Sequence, residues 1–170
     1  ISFNAVKIFQ TVEGGAIVTD NDSLAAKARW MRNFGFKTRY SFWGTGINCK
    51  MSEFHAAMGL CVLPLVDKMR ERYDQIIKKY NKALGYNHEQ VTYYPITYKS
   101  STQVLKAINK FEKNGIYPRR YFYPPLNRVF GGRECPYAEA AMRKVLCLPL
   151  YFELTDKQQD LVIRITKETL

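Results

Sequence analysis

The sequence predicts a mixed α/β fold, and three observations carry that prediction. Near the N-terminus two short apolar segments with strand composition are followed by apolar residues at helical spacing. From residue 52 to about residue 84 the helical spacing continues with a single break at a proline. Beyond residue 90, strand patterns and helix patterns alternate, which is typical of a small α+β unit.

The first part of the chain predicts a strand–helix unit. One strand ends near Asn4, a second covers 15–19, and a loop containing Lys7 joins them. The polar residues at 20–23 can cap a helix. Apolar residues then recur at helical spacing until Gly35 ends the run: Leu24, Ala28, Met31 and Phe34.

The middle of the chain predicts a loop and then two helices. Residues 36–49 contain glycines and several aromatics without a clean period, so we expect a long loop in which ligand or partner contacts gather. Ser52 can cap a helix that runs to about Val62. Pro64 suits the first turn of a second helix that ends near Leu84.

The last part of the chain predicts four elements in alternation. We expect a strand from Val91 to Tyr98, a helix from Thr102 to Lys113, a strand from Tyr117 to Tyr123, and a capped helix from Thr155 to Leu170.

The composition bounds the class of protein. With 46% hydrophobic residues the chain can form a packed core. Because it has neither a run of about 20 apolar residues nor a signal-peptide pattern, we expect no membrane association and a cytoplasmic location. The cysteines are scattered without a C-x-x-C pair, so we expect reduced thiols and no metal site.

The net charge of +11 raises the question of nucleic-acid binding. Basic and acidic residues alternate along 68–74, as on an ordinary solvated helix face, so we expect no nucleic-acid partner. The densest basic group without acidic neighbours instead suits a diphosphate-bearing substrate: Arg29, Arg32, Lys37, Arg39 and Lys50.

Lys7 is the residue whose context points most directly to chemistry. It follows a short apolar strand and precedes a glycine turn. Packing among Phe3, Val6 and Phe9 would make its charge costly and its amine nucleophilic, as in lysines that form imines with aldehyde cofactors. A solvated surface lysine is the common alternative.

Ordered motifs occur along nearly the whole chain. The first is Ser-Phe-x-x-x-Lys at 2–7, followed by Thr-x-Glu-Gly-Gly-Ala-Ile-Val-Thr at 11–19. Further segments follow in order: 21–25, 32–35, 46–57, 119–126 and 147–151. Together these motifs resemble the DegT-like family of sugar aminotransferases, which are fold-type I enzymes dependent on pyridoxal phosphate (PLP).

The resemblance implies that Lys7 binds PLP covalently and moves a proton between the cofactor carbon and the sugar carbon. It implies that the Ser2 hydroxyl holds the cofactor phosphate. Asn48 matches an asparagine that reaches the phosphate in the other subunit of a homodimer, whereas alone it would be a turn residue. Asn4 and Val6 depart from the histidine and threonine common at these positions, which weakens the assignment of a subtype.

The resemblance places a substrate pocket in the second half of the chain. Tyr121 and Tyr123 would line the sugar or diphosphate pocket from one face of the predicted strand, with buried core tyrosines as the alternative. Arg119 and Arg120 are candidate phosphate contacts. Glu13 and the two glycines after it would form a tight turn and serve structure, not catalysis.

The domain organisation also follows from the resemblance. Residues 1–62 would be the C-terminal part of the PLP-binding large domain, and residues 63–170 a connecting helix and the small α+β C-terminal domain. The chain has no counterpart of the family's phosphate-gripping turn, ring-stacking aromatic or ring-nitrogen aspartate, so we expect it to be incomplete for catalysis.

The implied reaction transfers an amino group from glutamate to a keto-deoxysugar nucleotide for surface polysaccharide or lipopolysaccharide biosynthesis. The residues at 11–15, Thr-Val-Glu-Gly-Gly, resemble the same segment of family members that act on carbon 4 of dTDP-4-keto-6-deoxyglucose. Reaction at carbon 3 and UDP- or GDP-linked sugars are the alternatives. A dehydratase of the family would carry histidine in place of Lys7. The alternatives from other classes are a basic binding module and a non-catalytic fragment that docks onto a missing half.

Overall fold

The computed structural model describes residues 1–89 and 92–170, and the chain divides into two compact units, Ile1–Arg70 and Glu71–Leu170. The helices are α1 (Asp22–Met31), α2 (Glu53–Val62), α3 (Val66–Leu84), α4 (Ser101–Glu112), α5 (Leu126–Val129), α6 (Pro136–Lys144) and α7 (Asp156–Thr169). The strands are β1 (Phe36–Thr38), β2 (Ser41–Phe42), β3 (Tyr94–Thr97) and β4 (Val145–Leu148). No helix in the described ranges has the length and apolar character needed to cross a membrane.

The predicted helices of the first unit are confirmed, and their caps are local. Asn21 Oδ1 accepts a hydrogen bond of 2.9 Å from Leu24 N at the start of α1. Ser52 caps α2 by accepting from the amide of His55. Pro64 lies in a 3₁₀ turn, Leu63–Leu65, which separates α2 from α3, so the predicted break is present.

Two predictions for the first unit are wrong. The two N-terminal strands are reduced to one antiparallel bridge between Ser2 and Gly15. In the described residues no third strand lies beside this pair, and a two-stranded pairing alone is marginal. The predicted loop at 36–49 contains the β1–β2 hairpin, in which the rings of Phe36 and Phe42 stack with centroids 4.9 Å apart. Strands of three and two residues are too short to show a period.

The second unit has a two-stranded antiparallel sheet and a packed core. Strand β3 pairs with β4 from Tyr94 opposite Leu148 to Thr97 opposite Val145. Helices α4 and α7 pack on each other, and α7 begins with a capping box between Thr155 and Gln158. The core is made of side chains from α3, β3, α4, β4 and α7, together with Tyr98 after β3 and Leu154 before α7. The members from the helices and strands are Ile76, Ile77, Tyr80, Tyr94, Ile96, Val104, Ala107, Phe111, Leu146, Leu148, Val162, Ile163 and Ile165.

Most predicted elements of the second unit are confirmed, and one is wrong. The predicted helices are α4 and α7, and the strand predicted from Val91 to Tyr98 is present as β3, although Val91 lies outside the described residues. The strand predicted from Tyr117 to Tyr123 is reduced to a bridge between Arg119 and Cys147, followed by a turn. The prolines that follow at 124–125 have no amide hydrogen to donate to a ladder.

Strand β4 and helices α5 and α6 are not predicted from the sequence. Strand β4 is a run of four apolar residues, which periodicity cannot distinguish from a buried helix turn. Helix α6 begins with Pro136, and residue Cys135 before it makes no side-chain cap.

Candidate active site

The loop that carries Lys7 is closed at its base by backbone hydrogen bonds. Phe3 N donates to Gly14 O and Thr11 N donates to Phe3 O, each at 2.9 Å. At the tip, Lys7 N donates to Asn4 O at 2.9 Å and forms a turn. The segment before Lys7 and the segment after it are therefore held side by side.

Lys7 is exposed, so the predicted packing of its side chain among apolar residues is wrong. Phe3 and Phe9 pack edge-to-face against each other, with ring centroids 5.0 Å apart, and Val6 is itself exposed. In the described residues Lys7 forms no ion pair with a carboxylate. Its amine is thus accessible to a ligand.

Asn4 and Glu13 connect the two sides of this loop through their side chains. Asn4 Nδ2 donates to Glu13 Oε1 at 2.8 Å, and Asn4 Oδ1 accepts from Val6 N at 3.2 Å. The backbone N–H of Asn4 donates to Ser2 Oγ at 3.3 Å. That bond leaves the hydroxyl hydrogen of Ser2 free to be donated to another acceptor.

Thr11 fixes the base of the loop, and sequence reasoning missed it. Its side chain is buried, and its Oγ1 donates to Glu13 O at 2.7 Å. A Cβ on Gly14 would lie 2.5 Å from Thr11 Oγ1, and one on Gly59 of α2 would lie 2.9 Å from Thr11 Cγ2. Residue 59 must be glycine for the loop to approach α2 this closely, and residue 14 must be glycine for Thr11 to keep its place inside the loop. No sequence pattern marks Thr11 as buried.

Asn48 lies on a second segment of the first unit. Its backbone forms an antiparallel bridge with Asn33, and its Oδ1 accepts from Lys50 Nζ at 2.7 Å. Lys50 Nζ also lies 4.1 Å from the centroid of the Phe34 ring. The Asn48 amide nitrogen is the side-chain atom that can donate to a phosphate oxygen.

Cations of the β1–β2 hairpin lie over exposed aromatic rings. Lys37 Nζ is 4.2 Å from the centroid of Trp43, and the Arg39 guanidinium carbon is 5.4 Å from that of Tyr40. Within the described residues, every ion pair between side chains lies in the second unit. In the part of the chain that the structure describes, the basic group predicted to suit a diphosphate is therefore not paired with carboxylates.

Tyr121 and Tyr123 do not share one face of a strand, because the strand predicted there is absent. The ring of Tyr121 packs on that of Tyr93 at 4.3 Å. The ring of Tyr123 packs under the guanidinium of Arg120 at 3.6 Å. Neither tyrosine belongs to the hydrophobic core. Burial, with a smaller contribution from Tyr93, raises the pKa of the Tyr121 hydroxyl, so Tyr121 is a neutral donor at pH 7.

The two arginines before these tyrosines differ in their surroundings. Arg119 is bound through its backbone, where its N donates to Cys147 O at 3.2 Å and its O accepts from Cys147 N at 2.7 Å, and its side chain is exposed. Arg120 donates from Nη2 to Met142 O at 3.2 Å, while its buried Nε has no partner in the described part of the chain. Arg119 is thus the freer of the two to bind an anion.

The model of the DegT/DnrJ/EryC1/StrS aminotransferase family matches residues 1–167. The chain belongs to this family. It is 30% identical over 188 residues to dTDP-4-amino-4,6-dideoxy-D-glucose transaminase of Shigella dysenteriae, with 99% of this chain and 51% of that protein covered. It is also 30% identical over 190 residues to GDP-perosamine synthase of Caulobacter vibrioides, with 99% and 51% covered.

The fold agrees with that of solved family members. The structure of DesI in the presence of its TDP-sugar product superposes with a TM-score of 0.86 at 27% identity, covering 98% of this chain and 48% of that one. The predicted fold-type I architecture is thereby confirmed for the part of the fold present here. The chain spans about half the length of the curated relatives it matches.

The DegT/DnrJ/EryC1/StrS aminotransferases depend on PLP, and the residues of this chain fit one side of such a site. The Lys7 amine is exposed, the Ser2 hydroxyl has a hydrogen to donate, and the Asn48 amide can donate to phosphate. Lys7 and Ser2 are brought together by one loop, and Asn48 lies on a separate segment of the same unit. The other predicted residues, Arg119, Tyr121 and Tyr123, lie in the second unit.

Proposed function

We propose that this chain supplies the lysine-bearing part of a PLP-dependent aminotransferase acting on a nucleotide-linked keto-deoxysugar. The observation that carries the proposal is the Lys7 loop, whose two sides are joined by hydrogen bonds and whose amine is exposed without a carboxylate partner in the described residues. Family membership supports the reaction class, because the two named relatives are a dTDP-sugar transaminase and a GDP-perosamine synthase.

Each residue of the proposed site has one task. Lys7 Nζ holds the cofactor and then takes and returns the proton that moves between cofactor carbon and sugar carbon. Ser2 Oγ and, from the other subunit of a homodimer, the Asn48 amide hold the phosphate. Bound PLP supplies an electron sink for the carbon next to the transferred nitrogen.

The substrate pocket is the less constrained part of the proposal. Arg119 is an exposed guanidinium suited to a phosphate, and Tyr121 is a neutral donor suited to a sugar hydroxyl. Tyr123, held under Arg120, presents an exposed ring. The hairpin cations of the first unit are, separately, a group of positive charge suited to a diphosphate. Each of these groups by itself favours a nucleotide diphosphate sugar as the substrate class.

The finer assignment rests on similarity to the Shigella relative. We propose dTDP-4-keto-6-deoxyglucose as acceptor, glutamate as donor, and surface polysaccharide or lipopolysaccharide synthesis as the purpose, in the cytoplasm. The relative named GDP-perosamine synthase has the same 30% sequence identity to this chain, so a GDP-linked sugar is the acceptor to compare first. We propose 1–62 and 63–170 as domains of this enzyme.

The test is to incubate the purified full-length protein with PLP, reduce with borohydride, and map the modified peptide by mass spectrometry. We expect one PLP adduct, on Lys7. Lys7→Arg keeps the charge but cannot form the covalent bond, so it should abolish the adduct, whereas Lys27→Arg, on an exposed face of α1, should leave it intact. A wild-type protein without an adduct at Lys7 would overturn the proposal.

Turnover then distinguishes the acceptors. Glutamate formation from 2-oxoglutarate should be measured with dTDP-4-amino-4,6-dideoxyglucose and with GDP-perosamine, each as amino donor in the reverse direction. We expect the dTDP sugar to give the higher kcat/KM. The alternative of a basic binding module predicts no PLP adduct and an affinity for DNA that falls steeply with salt.

A further inference from the structure

The contacts that close the tip of the Lys7 loop pass through one residue, Asn4. Its backbone oxygen accepts from Lys7 N at 2.9 Å, its Oδ1 accepts from Val6 N at 3.2 Å, and its Nδ2 donates to Glu13 Oε1 at 2.8 Å. Asn4 therefore links the turn that carries Lys7 to the opposite side of the loop.

Glu13 is held in place from its own side. Thr11, which is buried, donates from Oγ1 to Glu13 O at 2.7 Å, and Glu13 N donates to Thr11 O at 2.9 Å. Between them Val12 has a φ of 67°, in the left-handed region that a β-branched residue rarely adopts. Such strained backbone is kept where surrounding contacts fix it, often at functional sites.

We propose that Asn4 and Glu13 are positioning residues for Lys7. Their hydrogen bond sets the direction in which the Lys7 side chain leaves the loop, and so sets how readily its amine reaches the aldehyde carbon of a bound PLP. The proposal rests on the proposed function, because it concerns the approach of Lys7 to that cofactor. Neither residue needs to touch the substrate.

The bond has a defined polarity, which makes the proposal specific. A carboxylate only accepts, so Glu13 must face the Nδ2 side of Asn4, and Oδ1 is left for Val6 N. In Asn4→Asp both groups are acceptors and both are charged, so the bond is lost and the two side chains repel. In Glu13→Gln the amide oxygen can still accept from Asn4, and the bond survives.

Reversing the bond restores it. In the double variant Asn4→Asp with Glu13→Gln, the amide of residue 13 donates to a carboxylate at residue 4, whose second oxygen still accepts from Val6 N. The combined formal charge of the pair is the same as in the wild type. The double variant therefore separates the effect of the bond from the effect of the individual residue types.

The experiment measures the rate at which PLP is captured on Lys7 of the full-length protein, by borohydride quenching at timed intervals and peptide mapping. We expect Asn4→Asp to be slower by about fivefold, as for loss of one partly exposed hydrogen bond to a charged group. We expect Glu13→Gln and the double variant to lie within about twofold of the wild type. Asn87→Asp, the same change at an exposed residue of the second unit, should have no effect.

A second readout separates positioning from a general change in the lysine. Acetylation of Lys7 by acetic anhydride without PLP, relative to Lys27 in the same sample, reports the exposure and nucleophilicity of the amine. We expect this ratio to be the same in all variants, because Lys7 stays exposed when the bond is lost. A merely structural role would instead change the ratio together with PLP capture.

The outcomes keep the two proposals apart. If wild-type Lys7 captures no PLP, the proposed function fails. If the wild type captures PLP and Asn4→Asp captures it equally fast, or the double variant stays as slow as Asn4→Asp, the positioning role is overturned. Should Asn4→Asp fold poorly by its thermal unfolding midpoint, recovery of both folding and capture in the double variant supports the inference, and recovery of folding alone overturns it.

Discussion

Each of the two units of the chain is stabilised internally in a different way. In Ile1–Arg70 the buried residues are Thr11, Gly35 and Gly59, none of which has a large apolar side chain. In Glu71–Leu170 a cluster of buried apolar side chains surrounds the β3–β4 sheet. The unit that carries Lys7 is thus shaped by backbone hydrogen bonds and close approaches, whereas the other is shaped by hydrophobic packing.

The largest effect expected from this difference concerns the units as separate fragments. We expect a fragment of residues 66–170 to unfold cooperatively in urea, because it retains the whole apolar cluster. We expect a fragment of residues 1–65 to show no cooperative transition, because it buries too little apolar surface to offset the loss of chain entropy. Circular dichroism with increasing urea measures both, and a cooperative transition in the shorter fragment would break the comparison.

A matched pair of phenylalanine truncations tests the contrast between the two units within one protein. Phe111 is 0% exposed in the core of the second unit, so Phe111→Ala should cost about 3–5 kcal/mol of unfolding free energy. Phe42 is 60% exposed and stacks on Phe36, so Phe42→Ala should cost about 1 kcal/mol or less. Urea unfolding of the full-length protein gives both values, and equal losses would contradict the contrast.

A smaller and pH-dependent effect is expected from Glu139, the buried carboxylate that joins α5 to α6. Arg128 Nε donates to its Oε2 at 2.8 Å, and Cys135 N and Asn127 Nδ2 donate to its Oε1 at 3.1 and 2.8 Å. These bonds, led by that from Arg128, lower the pKa of Glu139 to about 2.

The sign of the effect follows from that pKa. Because the folded pKa lies below the ordinary value of 4.5, the carboxylate stabilises the fold fully above about pH 4.5, and this contribution is lost as pH falls toward 2. Thermal midpoints of the wild type and Glu139→Gln should therefore differ most at pH 7 and converge near pH 2. Carboxylates present in both proteins cancel in the difference. A gap that does not depend on pH would show that the ionised form of Glu139 is not what stabilises the fold.

The elements that the sequence predicted well are those with local signals. Helices α1, α2, α4 and α7 each begin at a capping side chain, and α1, α4 and α7 also have an apolar period. Both signals can be read within about ten residues. Strand β4 and the bridge between Arg119 and Cys147 depend on partners far along the chain. No local pattern specifies such pairings.

In the candidate site, too, the features with a local sequence signal were predicted and those that depend on packing were not. The motif around Lys7 identified the loop, and the family assignment based on it is confirmed. The exposure of Lys7 was not predicted, because Phe3 and Phe9 pack on each other and leave the lysine outside. The roles of Thr11 and Gly59 depend on the approach of α2 to the loop, which is a property of the folded unit alone.

The smallest effect expected is local to the Lys7 loop and concerns Val12. Asparagine tolerates the left-handed region better than valine, so Val12→Asn should relieve about 1 kcal/mol of backbone strain. Val12 is 44% exposed, so little burial is lost. The gain should appear as slower hydrogen exchange of the Thr11 amide, which bonds to Phe3 O, by about fivefold.

A matched substitution shows whether the gain comes from the backbone conformation. Val18 is also exposed, and its φ is not positive, so Val18→Asn relieves no strain and should leave exchange at Thr11 unchanged. If Val12→Asn also leaves it unchanged, the left-handed conformation at Val12 costs nothing. If both variants slow exchange alike, polarity and not conformation is responsible. Slower exchange in Val12→Asn alone would show that the loop beside Lys7 is maintained against backbone strain, in contrast to the second unit, where the described residues with a positive φ are glycines.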